Sequence, residues 1–242
     1  MVQSPFYPAG EGGCHVYLLH PPGGLVAGDQ LSIAATAEAG TQVLLTTPAA
    51  TKLYRSDGRV ARATNRVVVG EASALEWLPH ESIAFPGVNA RIHTRIELAP
   101  TSRFIGWEHW CLGLPARDET FREGCLESRL SVFRARAPVL LERQAIAGGG
   151  PALRAAWGFA GYPVGGTLLA YPAERAPAQA LRTACDTFAG GRAGFTQVGG
   201  LAVVRALAPS THALAGLWHS LWSLLRPAVI GQPAQAPRIW AT

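Results

Sequence analysis

Apolar and polar residues alternate through most of the first two-thirds of the chain. Apolar residues take every second position over Gln30–Glu38, and Arg91–Leu98 shows the same alternation. A period of two is typical of a strand with one buried face. The same criteria, with turn residues between several segments, predict further strands at Cys14–Leu19, Val43–Thr47, Ala61–Val69, Ala74–Trp77, Arg103–Cys111, Cys125–Arg134 and Val139–Ala145.

Two segments near the C-terminus carry helical patterns instead. Ala178–Ala189 follows Pro177 and ends at Gly190. Thr211–Arg226 has apolar residues at i, i+3, i+4 and i+7, with Ser210 before it as a cap and Pro227 after it. We therefore expect one domain over residues 1–242. The expected fold is mainly β, with stacked antiparallel or mixed β-sheets (a sandwich or a helical β-stack) and two α-helices near the C-terminus.

Composition agrees with an ordered globular protein. Hydrophobic residues make up 48% and charged residues 15%, which argues against disorder, and the 27 Gly and 18 Pro suit many short strands joined by turns. The net charge is +5, but the basic residues are scattered and Lys52 is the one lysine. The sequence therefore predicts no nucleic-acid partner.

Cysteines and apolar runs indicate the compartment. Cys14, Cys111, Cys125 and Cys185 form no CxxC pair and match no zinc spacing. No secretory leader pattern is present, and no apolar run reaches the roughly 18 residues of a membrane helix. Reduced thiols in a cytoplasmic protein with no membrane association are the expectation.

The segment from His20 to Asp29 is rich in glycine. Gly23 and Gly28 have the spacing of the outer glycines of a phosphate-binding loop, but Asp29 and Gln30 follow where that loop requires Lys and Ser or Thr. A strand then follows, not a helix. The sequence predicts a turn in which Asp29 binds local backbone amides, and a functional carboxylate is the alternative.

A metal-dependent hydrolase on a β-sandwich is an alternative function. The seven histidines form no HxH or HExxH motif, but His109 and Cys111 share one face of a predicted strand and Glu108 adjoins them. A buried thiol beside a partly exposed imidazole explains the same residues without a metal.

Isolated carboxylates in apolar sequence are a second candidate feature. Glu76, Glu81 and Glu108 each lie among apolar residues. A buried carboxylate needs an ion pair, a hydrogen bond or a hydrated cavity, so such groups could pass a divalent cation along without fixing it. The alternative places each glutamate on the solvent face of its strand.

Several segments resemble, in order and spacing, the UreD family of urease accessory proteins (also called UreH). They are Ser4–Pro8, Cys14–Asp29, Leu45–Ser56, Leu75–Gly87, Cys111–Gly113, Leu224–Pro227 and Pro237–Trp240. The resemblance implies stacked β-sheets with two helices and a non-catalytic role. It also implies binding to apo-urease and to UreF, which recruits the GTPase UreG, and nickel in transit through an internal tunnel without a resident cofactor.

The resemblance also implies roles for individual residues. For the nickel path we predict Asp29, Glu76 and Glu81. For local architecture the predicted residues are Gly23, Gly24, Gly28, Thr46, Thr47, Lys52, Tyr54 and Arg55. For partner contact they are Trp218, Trp222, Arg238 and Trp240, although packing of the two helix tryptophans in the core is an alternative.

One departure from the family concerns the start of the chain. UreD-type chains usually carry further residues before the Pro5–Pro8 segment, so either the start site is placed too late or a natural truncation leaves a sheet edge unpaired. An unpaired edge promotes aggregation, so we expect this chain alone to be poorly soluble. A third hypothesis keeps the family's binding role but has no ion path. It predicts complex formation that is indifferent to every buried carboxylate.

Overall fold

A computed structural model describes residues 1–8 and 13–241 of the chain. The described residues form sixteen strands and two α-helices. The strands are β1 (Cys14–Tyr17), β2 (Gly24–Leu25), β3 (Gln30–Ala37), β4 (Gln42–Thr46), β5 (Thr51–Leu53), β6 (Ala61–Val69), β7 (Ala74–Leu78), β8 (Ser82–Ala84), β9 (Val88–Leu98), β10 (Arg103–Leu114), β11 (Glu119–Thr120), β12 (Gly124–Arg134), β13 (Ala137–Ala147), β14 (Val164–Tyr171), β15 (Arg192–Val198) and β16 (Leu201–Ala208). The helices are α1 (Ala178–Asp186) and α2 (Thr211–Leu225).

The strands build two sheets, which confirms the mainly β class. The smaller sheet has the order β13-β12-β9-β6-β3, and the larger has the order β1-β4-β7-β10-β14-β16-β15 with β2, β5, β8 and β11 attached. Neighbours are parallel from β3 to β12 and from β1 to β10, whereas β13, β14, β15 and β16 pair antiparallel. The sheets are therefore mixed, not purely antiparallel.

Parallel pairing follows from the path of the chain. Three successive coils, β2-β3-β4, β5-β6-β7 and β8-β9-β10, each place a short strand in the larger sheet, a long strand in the smaller sheet and a third strand back in the larger sheet. Because each coil starts in the same direction as the last, equivalent strands stack in parallel register, such as Ala61 on Ala90 and Val43 on Leu75. The result is a helical β-stack.

Side chains alternate between two packing layers. The layer between the sheets holds residues such as Leu75, Trp77 and Phe104. Leu78 and Ile105 point to the opposite face of the larger sheet, where they pack with the two helices. The helices thus cover the outer face of the larger sheet.

Both predicted helices are present. The Ser210 hydroxyl accepts a hydrogen bond from the Ala213 N–H at 3.1 Å, which caps α2, and the chain continues from α2 into a π-helical turn at Arg226–Ile230. Helix α1 ends at Asp186, three residues before the predicted end. No helix in the described part of the chain is both long and apolar enough to cross a bilayer.

Three long strands, β14, β15 and β16, were not predicted from the sequence. Every residue of β14 is buried, so the strand shows no alternation. β15 and β16 form a hairpin whose turn is Gly199–Gly200, with φ of 59° and 82°. A Gly-Gly pair between two runs of strand-forming residues is a hairpin signal that could have revealed this pair.

Candidate functional site

Strand pairing in the larger sheet is interrupted beside β10, between Trp107–His109 and Pro79–Glu81. We call this gap the slot. On one side β10 pairs with β7 over Arg103–Gly106 and with β8 over Trp110–Leu112. The intervening residues Trp107–His109 face the link Pro79–Glu81, which belongs to neither strand. The next strand has an aligned break, since β4 ends at Thr46 and β5 begins at Thr51.

Hydrogen bonds hold the slot open with a defined shape. The Trp107 indole N–H donates to the Pro79 carbonyl at 2.8 Å, and the His80 N–H donates to the Thr47 hydroxyl at 2.9 Å. The Thr51 N–H donates to the Glu81 carbonyl at 2.9 Å. Side chains and loop amides thus replace part of the missing sheet hydrogen bonds, so the slot is a stable feature of the fold.

Glu81 lies in the slot between two imidazoles. Its Oε2 is 3.8 Å from His80 Nδ1 and 3.7 Å from His109 Nε2. Burial acts to raise the pKa of Glu81, but the imidazoles of His109 and His80 outweigh it and keep the pKa below its usual range. The carboxyl is therefore ionised at neutral pH.

The distances from the Glu81 carboxylate to the two imidazoles would allow Glu81 and one histidine to bind the same cation weakly. Two ligands at about 2.1 Å from one ion lie at most about 4.2 Å apart, so Glu81 and either histidine can reach the same cation. Among residues 1–8 and 13–241, no group of three or more His, Cys, Asp or Glu side chains has the geometry of a metal site. The slot therefore offers pairs of ligands but no closed coordination shell.

A cavity adjoins the slot on each side of the sheet. The cavity on the helix side has a volume of about 230 Å³ and is lined by Glu81, His212 and His219, among others. The cavity between the sheets has a volume of about 70 Å³ and includes Glu108 in its lining. Pro79, His80 and His109 line both cavities, so both cavities border the slot from opposite faces of the sheet.

Glu108 is the carboxylate on the inner side of the slot. Burial raises its pKa to about 7, an effect that a hydrogen bond with Thr94 opposes and the charge of Glu142 reinforces. Its Oε2 is buried and has no hydrogen-bond partner among the described residues. Glu108 can therefore exchange a proton near neutral pH.

Comparison with known proteins identifies the family. A family model described as UreD urease accessory protein matches residues 1–241. The chain belongs to the UreD family. This confirms the resemblance drawn from the sequence segments.

Individual UreD relatives align along the whole chain. The chain is 44% identical over 242 residues to the urease accessory protein UreD of Pseudomonas putida (strain W619), covering 100% of this chain and 85% of the relative. It is 43% identical over 246 residues to UreD of Dechloromonas aromatica (strain RCB) and 41% identical over 244 residues to UreD of Enterobacter sp. (strain 638), with the same coverage.

The UreD fold separates the three carboxylates predicted for the nickel path. Glu81 lies in the slot beside His80 and His109. Glu76 is buried against α2, where Oε2 is 3.0 Å from Arg226 Nε and Oε1 accepts the Trp222 indole N–H at 2.7 Å. Asp29 lies in the turn before β3, where its Oδ2 accepts the Val26 N–H at 3.0 Å, and it lines neither cavity. Of these three carboxylates, Glu81 alone lines one of the two cavities at the slot.

The ligand set of the hydrolase alternative is divided in this UreD fold. His109 and Cys111 share the helix-side face of β10, whereas Glu108, one position away, points between the sheets. The Cys111 thiol donates to the Gly113 carbonyl at 3.7 Å, and burial, reinforced by the Glu81 charge, raises its pKa to about 11. A neutral, buried thiol is a poor metal ligand.

Residues predicted for local architecture line the turns that precede the slot. Gly23 and Gly28 have φ of 71° and 85°, which favours glycine. A Cβ on Gly24 would lie 2.3 Å from the Lys52 carbonyl and 2.7 Å from the Tyr54 ring.

The remaining residues of the predicted architectural set lie around the same strands. The Thr46 hydroxyl donates to the Leu78 carbonyl at 2.6 Å, and Thr47 accepts the His80 N–H at the slot. Arg55 is exposed, with its guanidinium 3.7 Å from Glu123.

The residues predicted for partner contact divide into two groups. Trp218 and Trp222 are 0% and 1% exposed, which favours the alternative that they pack in the core. Arg238 and Trp240 lie in a short 3₁₀ turn at the end of the chain. There the Trp240 indole N–H donates to the Thr46 hydroxyl at 3.2 Å, and the ring lines the helix-side cavity.

Proposed function

We propose that this UreD-family chain is a non-catalytic scaffold of urease maturation and that nickel crosses its larger sheet through the slot. One observation carries the nickel part of the proposal. Both cavities border His80 and His109, with the carboxylate of Glu81 beside these histidines and the carboxyl of Glu108 on the inner side. The names of the relatives, all urease accessory proteins, support the role in maturation.

The ligand chemistry of the slot suits nickel as a cargo. Imidazole nitrogen is a good ligand for Ni²⁺, and an ionised carboxylate adds charge. Because Glu81 and the histidines offer at most a few ligands at once, an ion is held weakly enough to move on. A cation that approaches Glu108 can displace its proton, so this carboxyl becomes charged when the ion arrives.

The proposed partners are apo-urease, UreF and, through UreF, the GTPase UreG. The exposed tail segment before Trp240 is one candidate contact, because its Arg238 is available at the surface and the tail covers the helix-side cavity.

The proposed setting is the cytoplasm. The four cysteines, Cys14, Cys111, Cys125 and Cys185, are free thiols, as expected of a reducing compartment.

Co-expression tests the role of the chain in maturation. Urease subunits and the other accessory proteins are produced in nickel medium with and without this chain, and activity and bound nickel are measured on purified urease. We expect both to require the chain. Equal activity and nickel content without it would overturn the proposal.

Substitution of Glu81 tests the slot. Glu81→Gln removes the charge with little change in size, and we expect nickel bound per urease to fall about tenfold while the chain still co-purifies with urease. Glu38→Gln makes the same chemical change at an exposed position and is expected to match the unchanged chain. If Glu81→Gln, His109→Ala and Glu108→Gln all load nickel normally, the chain is a binding module without an ion path.

A further inference from the structure

Arginines are concentrated on the outer face of the smaller sheet. Alternate residues of each strand point between the sheets, as Ile92 and Ile96 of β9 do, and the residues that alternate with them point outwards. Both helices pack on the larger sheet, so neither helix covers this outer face. The outward arginines are Arg62, Arg66, Arg91, Arg95, Arg129 and Arg143. We call this surface the arginine face.

Strand pairing sets these arginines directly beside one another. The register opposes Arg62 to Arg91, Arg66 to Arg95, and Arg129 to Arg143. Neighbouring strands are about 4.8 Å apart, and like charges that lie directly opposite each other on a sheet are destabilising. Three such pairs on one face oppose folding, which is expected where the charge serves binding to another molecule.

Two glutamates lie among the six arginines, so the arginine face keeps an excess of positive charge. Glu97 accepts hydrogen bonds from Arg66 Nε and Arg95 Nε, each at 3.0 Å. Glu127 accepts a hydrogen bond from Arg129 Nε at 2.7 Å. Because Nε is the donor in all three bonds, the terminal amino groups of these guanidiniums are left for a ligand.

The positive groups also lie nearer the solvent than the carboxylates. The Glu127 side chain is 12% exposed, whereas those of Arg129 and Arg143 are 51% and 64% exposed. Glu97 is likewise less exposed than Arg66. The carboxylates therefore lie under the guanidinium groups, where they orient the arginines without cancelling the charge that a ligand meets.

The other outward side chains indicate which kind of ligand fits the arginine face. Leu141 of β13 lies two residues from Arg143 on the same face and is 66% exposed, and a protein surface can offer it an apolar side chain as well as carboxylates for the arginines. The Phe133 ring is covered by the Arg95 guanidinium, 3.8 Å from the ring centroid, so it does not offer a free surface for stacking nucleobases. A five-stranded sheet is also too broad for a duplex groove, which admits a helix or a two-stranded ribbon. An acidic protein surface therefore fits better than a nucleic acid.

We propose that the arginine face docks an acidic surface of a partner protein. Carboxylates of the partner bind the terminal amino groups of the guanidiniums, a contact that is stronger than a hydrogen bond between neutral groups. An apolar side chain of the partner covers Leu141. Arginine is also among the residue types that dominate protein interfaces. The proposal does not depend on nickel crossing the slot.

Site-specific photo-crosslinking identifies the occupant. Thr64 is exposed and lies between Arg62 and Arg66 on the outer face of β6, so the photoreactive residue p-benzoylphenylalanine placed there meets whatever covers the arginine face. Cells that produce the chain with the urease subunits and the other accessory proteins are irradiated, and the cross-linked peptide is sequenced by mass spectrometry. A portion of the product is digested with nucleases before electrophoresis.

We expect a cross-link from position 64 to a segment of another protein with a net negative charge. A cross-link to a second copy of this chain or to a neutral or basic segment would overturn the proposal, and so would the absence of a cross-link. A product that shrinks on nuclease digestion would identify a nucleic acid as the occupant, which also overturns it. Because the readout is a cross-link, it is independent of whether nickel reaches urease.

Charge reversal tests the role of the arginines. Arg91 and Arg143 lie 3.6 Å and 3.3 Å from Glu127, whereas Arg129 is closer to it at 2.7 Å. Arg91→Glu combined with Arg143→Glu therefore keeps the closest ion pair and should lower the yield of the cross-link from position 64 at least tenfold. Arg91→Gln combined with Arg143→Gln removes the two charges without reversing them and should lower the yield at least threefold, so it serves if the reversal variant does not fold.

The matched control for charge reversal is Arg117→Glu combined with Arg175→Glu. Both arginines are exposed in short 3₁₀ turns outside the arginine face, and their reversal makes the same change in net charge. The control should leave the yield within twofold. Thermal unfolding of each purified variant shows whether it is folded. Equal yields from a folded arginine-face variant and the folded control would contradict an electrostatic docking site.

Discussion

The Trp240 indole stacks on the His219 imidazole, with ring centroids 4.4 Å apart and planes 5° from parallel. Trp240 also meets Trp222 edge-on at 5.2 Å and donates its N–H to Thr46. The tip of the C-terminal tail therefore ties α2 to β4 across the helix-side cavity. Further contacts attach the residues before it, since Arg226 donates to the Pro233 carbonyl at 2.5 Å, Gln232 donates to Gln42 at 3.2 Å, and Pro237 is buried.

Removal of the Trp240 ring should expose His219. Burial lowers the pKa of His219, and the neighbouring His80 and His109 lower it further. In Trp240→Ala we expect this pKa to rise towards 6.5, because water replaces the ring, and the rate of carbethoxylation of His219 to rise several-fold. NMR titration and mass spectrometry measure the two effects. Trp157→Ala, at an exposed tryptophan elsewhere, is the control and should change neither.

Loss of the Glu76 carboxylate should destabilise the fold strongly. Glu76→Ala leaves the Arg226 charge buried without its partner, which costs about 3–5 kcal/mol of unfolding free energy. Glu97→Ala, which breaks the partly exposed contacts with Arg66 and Arg95, should cost about 0–1 kcal/mol. Urea denaturation of both variants gives the comparison. A cost below 1 kcal/mol for Glu76→Ala would show that this carboxylate does not hold α2 to the sheet.

Glu108 should make stability depend on pH. Its pKa is 4.5 in an exposed carboxyl and about 7 here, so between these values the folded chain keeps a proton that the unfolded chain has released. The contribution of this group to stability therefore falls as pH rises from 4.5 to 7, by roughly 3 kcal/mol in total. Glu108→Gln has no such proton, so its stability relative to the unchanged chain should rise over this window. Denaturant unfolding at pH 5, 6, 7 and 8 measures the difference, and a constant difference would contradict the shifted pKa.

Close packing at Gly24 predicts a contrast between two glycines. An alanine Cβ at Gly24 would press on the Lys52 carbonyl and the Tyr54 ring, so Gly24→Ala should cost about 1–3 kcal/mol of unfolding free energy. Gly216 lies in α2 with no atom within 4 Å of an added Cβ. There Gly216→Ala should stabilise by about 0.5–1 kcal/mol, because alanine favours the helix. Equal effects from the two substitutions, measured by thermal unfolding, would refute the packing argument.

Much of the fold could be predicted from local pattern. Ala61–Val69 was predicted with the bounds the structure shows, and Thr211–Arg226 extends one residue beyond the observed helix. In both segments one face is buried and the other is not, so the spacing of the apolar residues shows whether the segment is a strand or a helix. Val164–Tyr171 is buried on both faces, and its pattern carries no such information.

The candidate site was predictable only in part. Glu81 and Glu108 were recognisable as carboxylates in apolar surroundings. The contact of Glu81 with His109 was not, because His109 meets Glu81 only when β8 pairs with β10 beyond the break after Leu78. The burial of Glu76 against Arg226, 150 residues later in the chain, depends on where α2 packs.

The sequence by itself determined the class of fold, the positions of most strands and both helices, and, through its ordered segments, the family. Each of these rests on interactions or matches that are local along the chain. The tertiary structure alone decided that the strands pair mainly in parallel and that breaks in β4–β5 and β7–β8 align into a slot. It also decided that Glu81 meets histidines while Glu76 meets an arginine. These outcomes depend on which distant strands become neighbours, and that choice is made by packing energy summed over the whole core.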